Sequence, residues 1–127
     1  MDFTKLDVWG KAHQMTLRVY QATQGFPQKE RYRLTDQLCC SASSIPTNIA
    51  EGTGRNTLKE YMQFLYVARG SIAETKYHLI LSKDLGYLSS DRFSELTEGY
   101  DEVGKMLNGL INSLKERDAN DKQKCVY

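Results

Sequence analysis

Hydrophobic residues recur along this chain every three or four positions, which is the spacing of one buried face of an α-helix. Four stretches show the pattern, over residues 5–24, 28–54, 57–85 and from about 90 to 117. The last stretch keeps an unbroken heptad pattern, the periodicity of helices packed at about 20° to one another. No stretch has the strict alternation with a hairpin signal that predicts paired strands.

Residues that cap or break helices stand between the four stretches: Gly25, Pro27, Thr57 with Glu60, Gly86, and Ser89 or Ser90. The connections are short, so consecutive helices are expected to be antiparallel neighbours. The pattern predicts an all-α protein, an up-down-up-down antiparallel four-helix bundle. We expect a single domain over residues 1–117 and a polar, frayed tail over residues 118–127.

The second predicted helix has a proline in its interior. Leu38, Ala42, Ile45 and Ile49 keep one buried face that continues past Pro46. A proline there removes one intrahelical hydrogen bond and collides with the preceding turn, at a cost of about 3 kcal/mol unless the helix kinks. We therefore predict a kink at Pro46 that packing elsewhere in the fold must offset.

Composition places the chain among ordinary globular proteins, with 127 residues, 40% hydrophobic and 26% charged. A net charge of +1 does not by itself imply a polyanionic partner. No apolar run approaches the roughly 18 to 20 residues of a membrane span, and the first residues lack the apolar core of a secretory signal. We expect a cytoplasmic protein, with no membrane contact and with its three cysteines reduced.

Side chains suited to catalysis or metal binding are sparse. The two histidines, His13 and His78, are far apart and belong to no nucleophile or metal motif. A di-iron bundle needs a Glu-x-x-His pair on each of two helices, whereas Glu74 and His78 are spaced by four and have no second copy. We therefore expect no enzymatic activity and no cofactor.

Five polar residues flank the core face of the second and third helices: Asn48, Glu51, Arg55, Ser71 and Glu74. One interpretation is a polar site in a groove. We favour a structural network that absorbs the groups freed by Pro46, because buried polar groups are costly unless they are paired.

The outward side of the second helix carries a row of small residues, Cys40, Ser43, Thr47 and Ala50, spaced by three, four and three. A solvent-facing side would normally carry Glu, Lys or Arg, which are better helix formers. Such a row allows another backbone to approach closely, so we predict a subunit interface. The alternative is a tolerated small-residue surface, or one that is covered within the monomer.

Basic residues on either side of the second helix are candidate nucleic-acid contacts: Lys29, Arg31, Arg33, Arg55 and Lys59. Repeated around an assembly, Arg31, Arg33, Arg55 and Lys59 would form a basic ring on one rim, where weak contacts with phosphates would add up. The glycine-containing turn at residues 52–57 could also hold a phosphate at the start of the third helix, although such loops mostly only turn the chain.

Several motifs are shared with one known family: Leu6-Asp7-Val8-Trp9, Phe26-Pro27, Ser44-Ile45-Pro46 with Asn48-Ile49-Ala50-Glu51-Gly52, Phe64-Leu65-Tyr66 and Leu85-Gly86-Tyr87-Leu88. With these residues, the chain resembles the four-helix-bundle family named after proteins encoded in intervening sequences of 23S rRNA genes, over about residues 5–115. The resemblance implies a ring-like homopentamer without known catalytic activity. A more distant similarity, to the accessory protein of diversity-generating retroelements, implies RNA or a reverse transcriptase as a partner.

Two functional hypotheses follow from these observations. The first is a non-enzymatic, oligomeric scaffold or interaction protein whose main partner is itself. The alternative is an RNA-binding accessory factor for an RNA-handling partner such as a reverse transcriptase. The family usually carries basic residues where this chain has Cys39 and Cys40, which favours the first hypothesis.

Overall fold

The computed structural model describes residues 2–125, with side chains described as far as Asp121. Four α-helices dominate this part of the chain: α1 (Asp7–Thr23), α2 (Leu34–Thr53), α3 (Leu58–Asp84) and α4 (Ser90–Cys125). Short 3-10 turns at Phe3–Lys5 and Gln28–Glu30 precede α1 and α2. No strand occurs among the described residues, and the all-α prediction is confirmed.

Side-chain caps set the starts of α3 and α4. The Thr57 hydroxyl oxygen accepts a hydrogen bond from the Glu60 backbone N–H at 3.1 Å. The Ser89 hydroxyl oxygen accepts one from the Arg92 N–H at 3.1 Å, so Ser89 rather than Ser90 caps α4. Each cap satisfies an amide that has no partner within the helix itself.

The end of α3 is set by Gly86, whose φ of 84° lies in the left-handed region that favours glycine. Its N–H donates to the Lys83 carbonyl at 2.9 Å, and the Tyr87 N–H donates to the Ser82 carbonyl at 2.9 Å. This pair of bonds is the Schellman motif, which satisfies carbonyls at a helix end.

Two predicted boundaries differ from the structure. The second helix begins at Leu34 rather than near residue 28, because Arg33 has a non-helical backbone, with φ −123° and ψ −107°. At the other end, α4 continues to Cys125, so residues 118–125, which we expected to fray, are helical. No glycine or proline stands there to stop a helix, and extending a formed helix costs little. Residues 126–127 of the predicted tail lie outside the described residues.

The four helices form a closed arrangement in which α1 and α3 each pack against both α2 and α4. Between α2 and α3, Ser41 contacts Thr75 and Ser44 contacts Ser71, so residue numbers increase along one helix as they decrease along the other. Between α3 and α4, the same holds for Arg69 with Asn108 and for Lys76 with Asp101. This pairing is that of antiparallel neighbours. The helix α2 is continuous through Pro46, and the kink there stays a prediction.

Each helix contributes one apolar face to the core, with residues such as Met15, Leu38, Leu65 and Leu107 fully buried. The helices α2 and α3 are in close contact at Gly52, where an added Cβ would lie 2.9 Å from the Tyr61 ring and 3.1 Å from the Phe64 Cβ. Both distances are shorter than ordinary van der Waals contact. Glycine is therefore what allows the C-terminal end of α2 to pack this closely on α3.

Candidate functional site

The helix α2 positions most of the candidate residues, and its interior proline has a specific partner. Pro46 has no N–H, so the Ala42 carbonyl, four residues earlier, has no donor within its own helix. The hydroxyl of Thr16 on α1 lies 3.2 Å from that carbonyl oxygen and 2.9 Å from the Ala12 carbonyl oxygen. Thr16 is buried, and both carbonyl oxygens lie within hydrogen-bond distance of its hydroxyl.

This contact corrects our expectation that the Asn48 network would absorb the group freed by Pro46. The donor comes from another helix, 26 residues away in sequence. Thr16 also belongs to the apolar-periodic face of α1, between Met15 and Val19. Its sequence position therefore gave no signal of this role.

Part of the predicted polar set does join α2 to α3, through a residue that sequence reasoning left out. The Asn48 amide donates to the Ser44 carbonyl at 2.7 Å and lies 3.0 Å from the Ser44 hydroxyl. That hydroxyl shares a hydrogen bond with the Ser71 hydroxyl across the helix contact, at 2.9 Å. Ser44 was visible in the same sequence motif, and its small hydroxyl is the link between the two helices.

The remaining members of that set lie apart from this link. The Glu51 carboxylate and the Arg55 guanidinium are 3.6 Å apart and form an exposed ion pair within one chain segment. The guanidinium also lies over the Phe64 ring, 4.5 Å from its centroid. Glu74 is exposed and makes no hydrogen bond or ion pair within residues 2–121. The five residues therefore do not form one network.

The row of small residues on α2 borders a shallow groove of about 410 Å³. We call it the α1–α2 groove, and its walls include Trp9 and His13 of α1 with Ser43, Pro46, Thr47 and Ala50 of α2. The Trp9 and His13 rings are stacked, with centroids 5.0 Å apart. The groove thus has aromatic side chains on one wall and mostly small side chains on the other, with the charged Glu51 at one end.

The hydroxyls on the α2 wall are used within their own helix. Ser43 donates to the Cys40 carbonyl at 3.2 Å, and Thr47 donates to the Ser43 carbonyl at 2.8 Å. The surface that this wall offers to a partner is consequently more apolar than its composition suggests.

Cys40, the first residue of the row of small residues, is exposed and lies outside the groove walls. Its thiol donates to the Asp36 carboxylate, with sulfur and oxygen 3.7 Å apart. Desolvation by surrounding atoms, and then the negative charge of Asp36, raise the pKa of the Cys40 thiol. Because the thiolate is the reactive form, this environment makes Cys40 a poor nucleophile.

The five candidate nucleic-acid contacts fall into two separate groups. Lys29, Arg31 and Arg33 precede α2, whereas Arg55 and Lys59 follow it. Since α2 has 20 residues and rises about 1.5 Å per residue, the groups lie at opposite ends of a helix about 30 Å long. The expectation that Arg31, Arg33, Arg55 and Lys59 share one rim is wrong for this reason.

The group after α2 has the more organised surroundings. Arg55 and Lys59 line a second shallow groove of about 390 Å³ together with Glu60, Gln63 and Phe64. We call it the Arg55–Phe64 groove. It places two cations beside an aromatic ring at the start of α3.

The described residues offer little that resembles a catalytic or metal centre. His13 is exposed against Trp9, and His78 is buried on α3, far from it in the sequence. Within the described part of the chain, no three His, Cys, Asp or Glu residues are close enough to hold a metal ion. None of the described helices combines the length and apolar character that a membrane crossing requires.

The described residues form a four-helix bundle, and its candidate sites are two shallow surface grooves. Residues 4–109 match the model of the 23S rRNA-intervening sequence protein family, and the chain belongs to this family. The resemblance inferred from the sequence motifs is confirmed. No curated protein matches the chain.

A similar solved structure is that of a protein of unknown function from the S23 ribosomal protein family, from Bacteroides thetaiotaomicron VPI-5482. The two have a TM-score of 0.76 and 21% sequence identity, over 82% of this chain and 97% of that chain. At this level of identity the similarity supports the fold.

Proposed function

We propose that this protein is a non-enzymatic scaffold that assembles with copies of itself, as a ring-like homopentamer, through the α1–α2 groove. The observation that carries the proposal is the α2 wall of that groove. Apart from Glu51 at one end, which pairs with Arg55, its side chains are small. They are at least partly accessible at Ser43, Thr47 and Ala50, and the Ser43 and Thr47 hydroxyls are satisfied within the helix.

The charge of α2 supports the same proposal. Its 20 residues include two charged side chains, Asp36 and Glu51, and no Lys or Arg. The cores of protein interfaces are depleted of charged residues, whereas ordinary exposed helix faces are rich in them. Burying an apolar surface of this kind is favourable by roughly 25 cal/mol per Å².

The test is the mass of the assembly in solution. Light scattering is expected to give several times the 14.5 kDa of one chain, and five times for a pentamer. The substitution Ala50→Arg places a long charge in the groove and is expected to split the assembly. Thr47→Arg is a second variant with less risk to the fold, because Thr47 is exposed in the monomer.

The matched control is Asn112→Arg, which adds the same charge at an exposed position on α4. This variant is expected to keep the mass of the unmodified protein, and circular dichroism checks that all three variants stay helical. A monomeric unmodified protein at micromolar concentration would contradict the proposal.

The alternative function, an RNA-binding accessory factor, is supported by the Arg55–Phe64 groove. Cations beside an aromatic ring are typical of sites that bind single-stranded nucleic acid by phosphate contact and base stacking. The separation of the basic residues into two groups and the net charge of +1 weigh against extensive phosphate contact.

RNA mobility shifts at low salt distinguish the two functions. If the alternative holds, binding is weak and falls steeply with salt, and Arg55→Glu reduces it. Arg31→Glu, at the other end of α2, makes the same change in charge and is expected to leave binding intact. The absence of any shift with micromolar assembled protein leaves the scaffold as the supported function.

A further inference from the structure

A second apolar surface lies on α3. Three of its large hydrophobic side chains are exposed, Val67 by 53%, Tyr77 by 56% and Ile80 by 45%. With Gly70 and Ala73, which are also exposed, they are spaced by three or four residues and so share one side of the helix. We call these five residues the α3 stripe.

Neighbouring helices of the same bundle do not cover this stripe. The helix α3 meets α2 through Ser71 and Thr75, and it meets α4 through Arg69 and Lys76. The stripe lies on the remaining, outward side. Large apolar side chains of this exposure recur on one helix face, which distinguishes them from scattered surface hydrophobics.

The exposed surface of α4 is different in character. Within its described side chains no large hydrophobic residue is exposed, and the exposed positions are charged, polar or small. The bundle therefore has an apolar groove at α1 and α2, an apolar stripe on α3, and a charged side at α4. A subunit in a ring needs two different lateral surfaces and a solvent-facing one.

We propose that the α3 stripe of one copy packs into the α1–α2 groove of the next copy, so that the interface is heterologous. This inference rests on the proposed assembly and names its second surface. Val67 is the large side chain that comes opposite the small side chains of the groove wall, and the rest of the stripe continues beside the N-terminal half of α2.

The heights of the two surfaces overlap at one end. The hydroxyl contact between Ser44 and Ser71 fixes their level along the bundle. Because α2 and α3 are antiparallel, Val67, one turn away from Ser71, lies at the level of Asn48 and its neighbour Thr47. A rotation about an axis parallel to the helices does not change these levels, so Val67 of one copy comes opposite Thr47 of the next. Tyr77 and Ile80 lie nearer the N-terminal end of α2, beyond the groove wall.

The α2 wall of the groove runs from Ser43 to Ala50, about 11 Å of helix. A stable protein interface buries roughly 800 Å² per partner. The contact is therefore expected to extend beyond the groove walls, along both helices.

The experiment uses two single substitutions and their mixture. Thr47→Arg disables the groove and leaves the stripe intact, and Val67→Arg does the reverse. Each variant alone is expected to fall from the mass of the assembly to that of one chain. An equimolar mixture is expected to give heterodimers with twice the mass of one chain, because one intact groove can take one intact stripe. Asn112→Arg again serves as the control and stays assembled.

The outcomes separate this inference from the proposed function. A monomeric unmodified chain overturns both. If the unmodified chain assembles and Val67→Arg stays assembled, the groove pairs with another surface and the inference alone is overturned. The inference is also overturned if both variants are monomers and their mixture forms no heterodimer. The mixture is measured at about tenfold higher concentration as well, because a tenfold increase compensates for roughly 1.4 kcal/mol of lost affinity.

Discussion

The substitution Thr16→Val tests how the fold accommodates a proline inside α2. Valine keeps the shape of threonine but has no hydroxyl, so it cannot donate to the Ala42 carbonyl across the contact between α1 and α2. Pro46 offers no N–H in its place. The Ala12 carbonyl keeps the backbone donor of its own helix, so only the Ala42 carbonyl is left buried without a partner.

The expected loss can be estimated from two opposing effects. A buried acceptor left without a partner costs about 1 to 3 kcal/mol. The added methyl group of valine returns about 0.8 kcal/mol of apolar burial. We therefore expect a net loss of about 1 to 2 kcal/mol in the free energy of unfolding. In a domain of this size each kcal/mol lowers Tm by about 4 °C.

A double-mutant cycle isolates the interaction from other effects of the substitution. In a Pro46→Ala background the backbone N–H restored at position 46 can donate to the Ala42 carbonyl, so Thr16→Val should then cost little. The coupling between the two positions is expected to be about 1 to 2 kcal/mol, within the range for residues in direct contact. Pro46→Ala alone is expected to destabilise, because the neighbouring helices pack around the proline.

Thr23→Val is the matched control. Thr23 lies on the same helix, is as buried as Thr16, and donates to the Tyr20 carbonyl of its own helix at 3.1 Å. Its hydroxyl also lies 3.6 Å from the Cys39 sulfur on α2, seven residues before Pro46. The cost of Thr23→Val should be the same whether position 46 holds proline or alanine. Urea unfolding at a fixed protein concentration measures all the variants. Equal costs of Thr16→Val in the two backgrounds would refute the assignment of Thr16 as the replacement donor.

Three further predictions concern stability and thiol chemistry. Gly52→Ala should destabilise the protein by about 1 kcal/mol in urea unfolding. Overpacking against Phe64 costs about 1 to 3 kcal/mol, and the better helix propensity of alanine returns about 1 kcal/mol. An equal or higher stability would show that α3 moves aside. Tyr100→Phe should raise Tm, because the Tyr100 hydroxyl is buried without a partner among the described residues, and removing an unpaired polar group recovers about 1 kcal/mol; a lower Tm would indicate a hidden partner. Alkylation of Cys40 should require a higher pH than that of an ordinary thiol, since the pKa of Cys40 is raised. Asp36→Asn should shift the dependence of the alkylation rate on pH to lower pH. An unchanged pH dependence would exclude the influence of Asp36.

The positions of the four helices were largely predictable because their signals are local. Apolar periodicity identifies each helix, and the Thr57 hydroxyl, the Ser89 hydroxyl and the positive φ of Gly86 act on backbone groups within five residues. The start of α2 was less predictable, since it follows the non-helical backbone of Arg33. Nearby, Glu30 is buried and accepts a hydrogen bond from the Tyr87 hydroxyl at 3.0 Å, 57 residues away in sequence.

The sequence by itself determined the four amphipathic helices, the interior proline and the row of small residues on α2. The tertiary structure decided which residues meet: Thr16 with the Ala42 carbonyl, Ser44 with Ser71, and the basic residues at opposite ends of α2. These relations depend on the rotation and height of one helix relative to another. A pattern read along a single helix specifies which face is buried, but contacts between helices are set only when the side chains of both faces pack together.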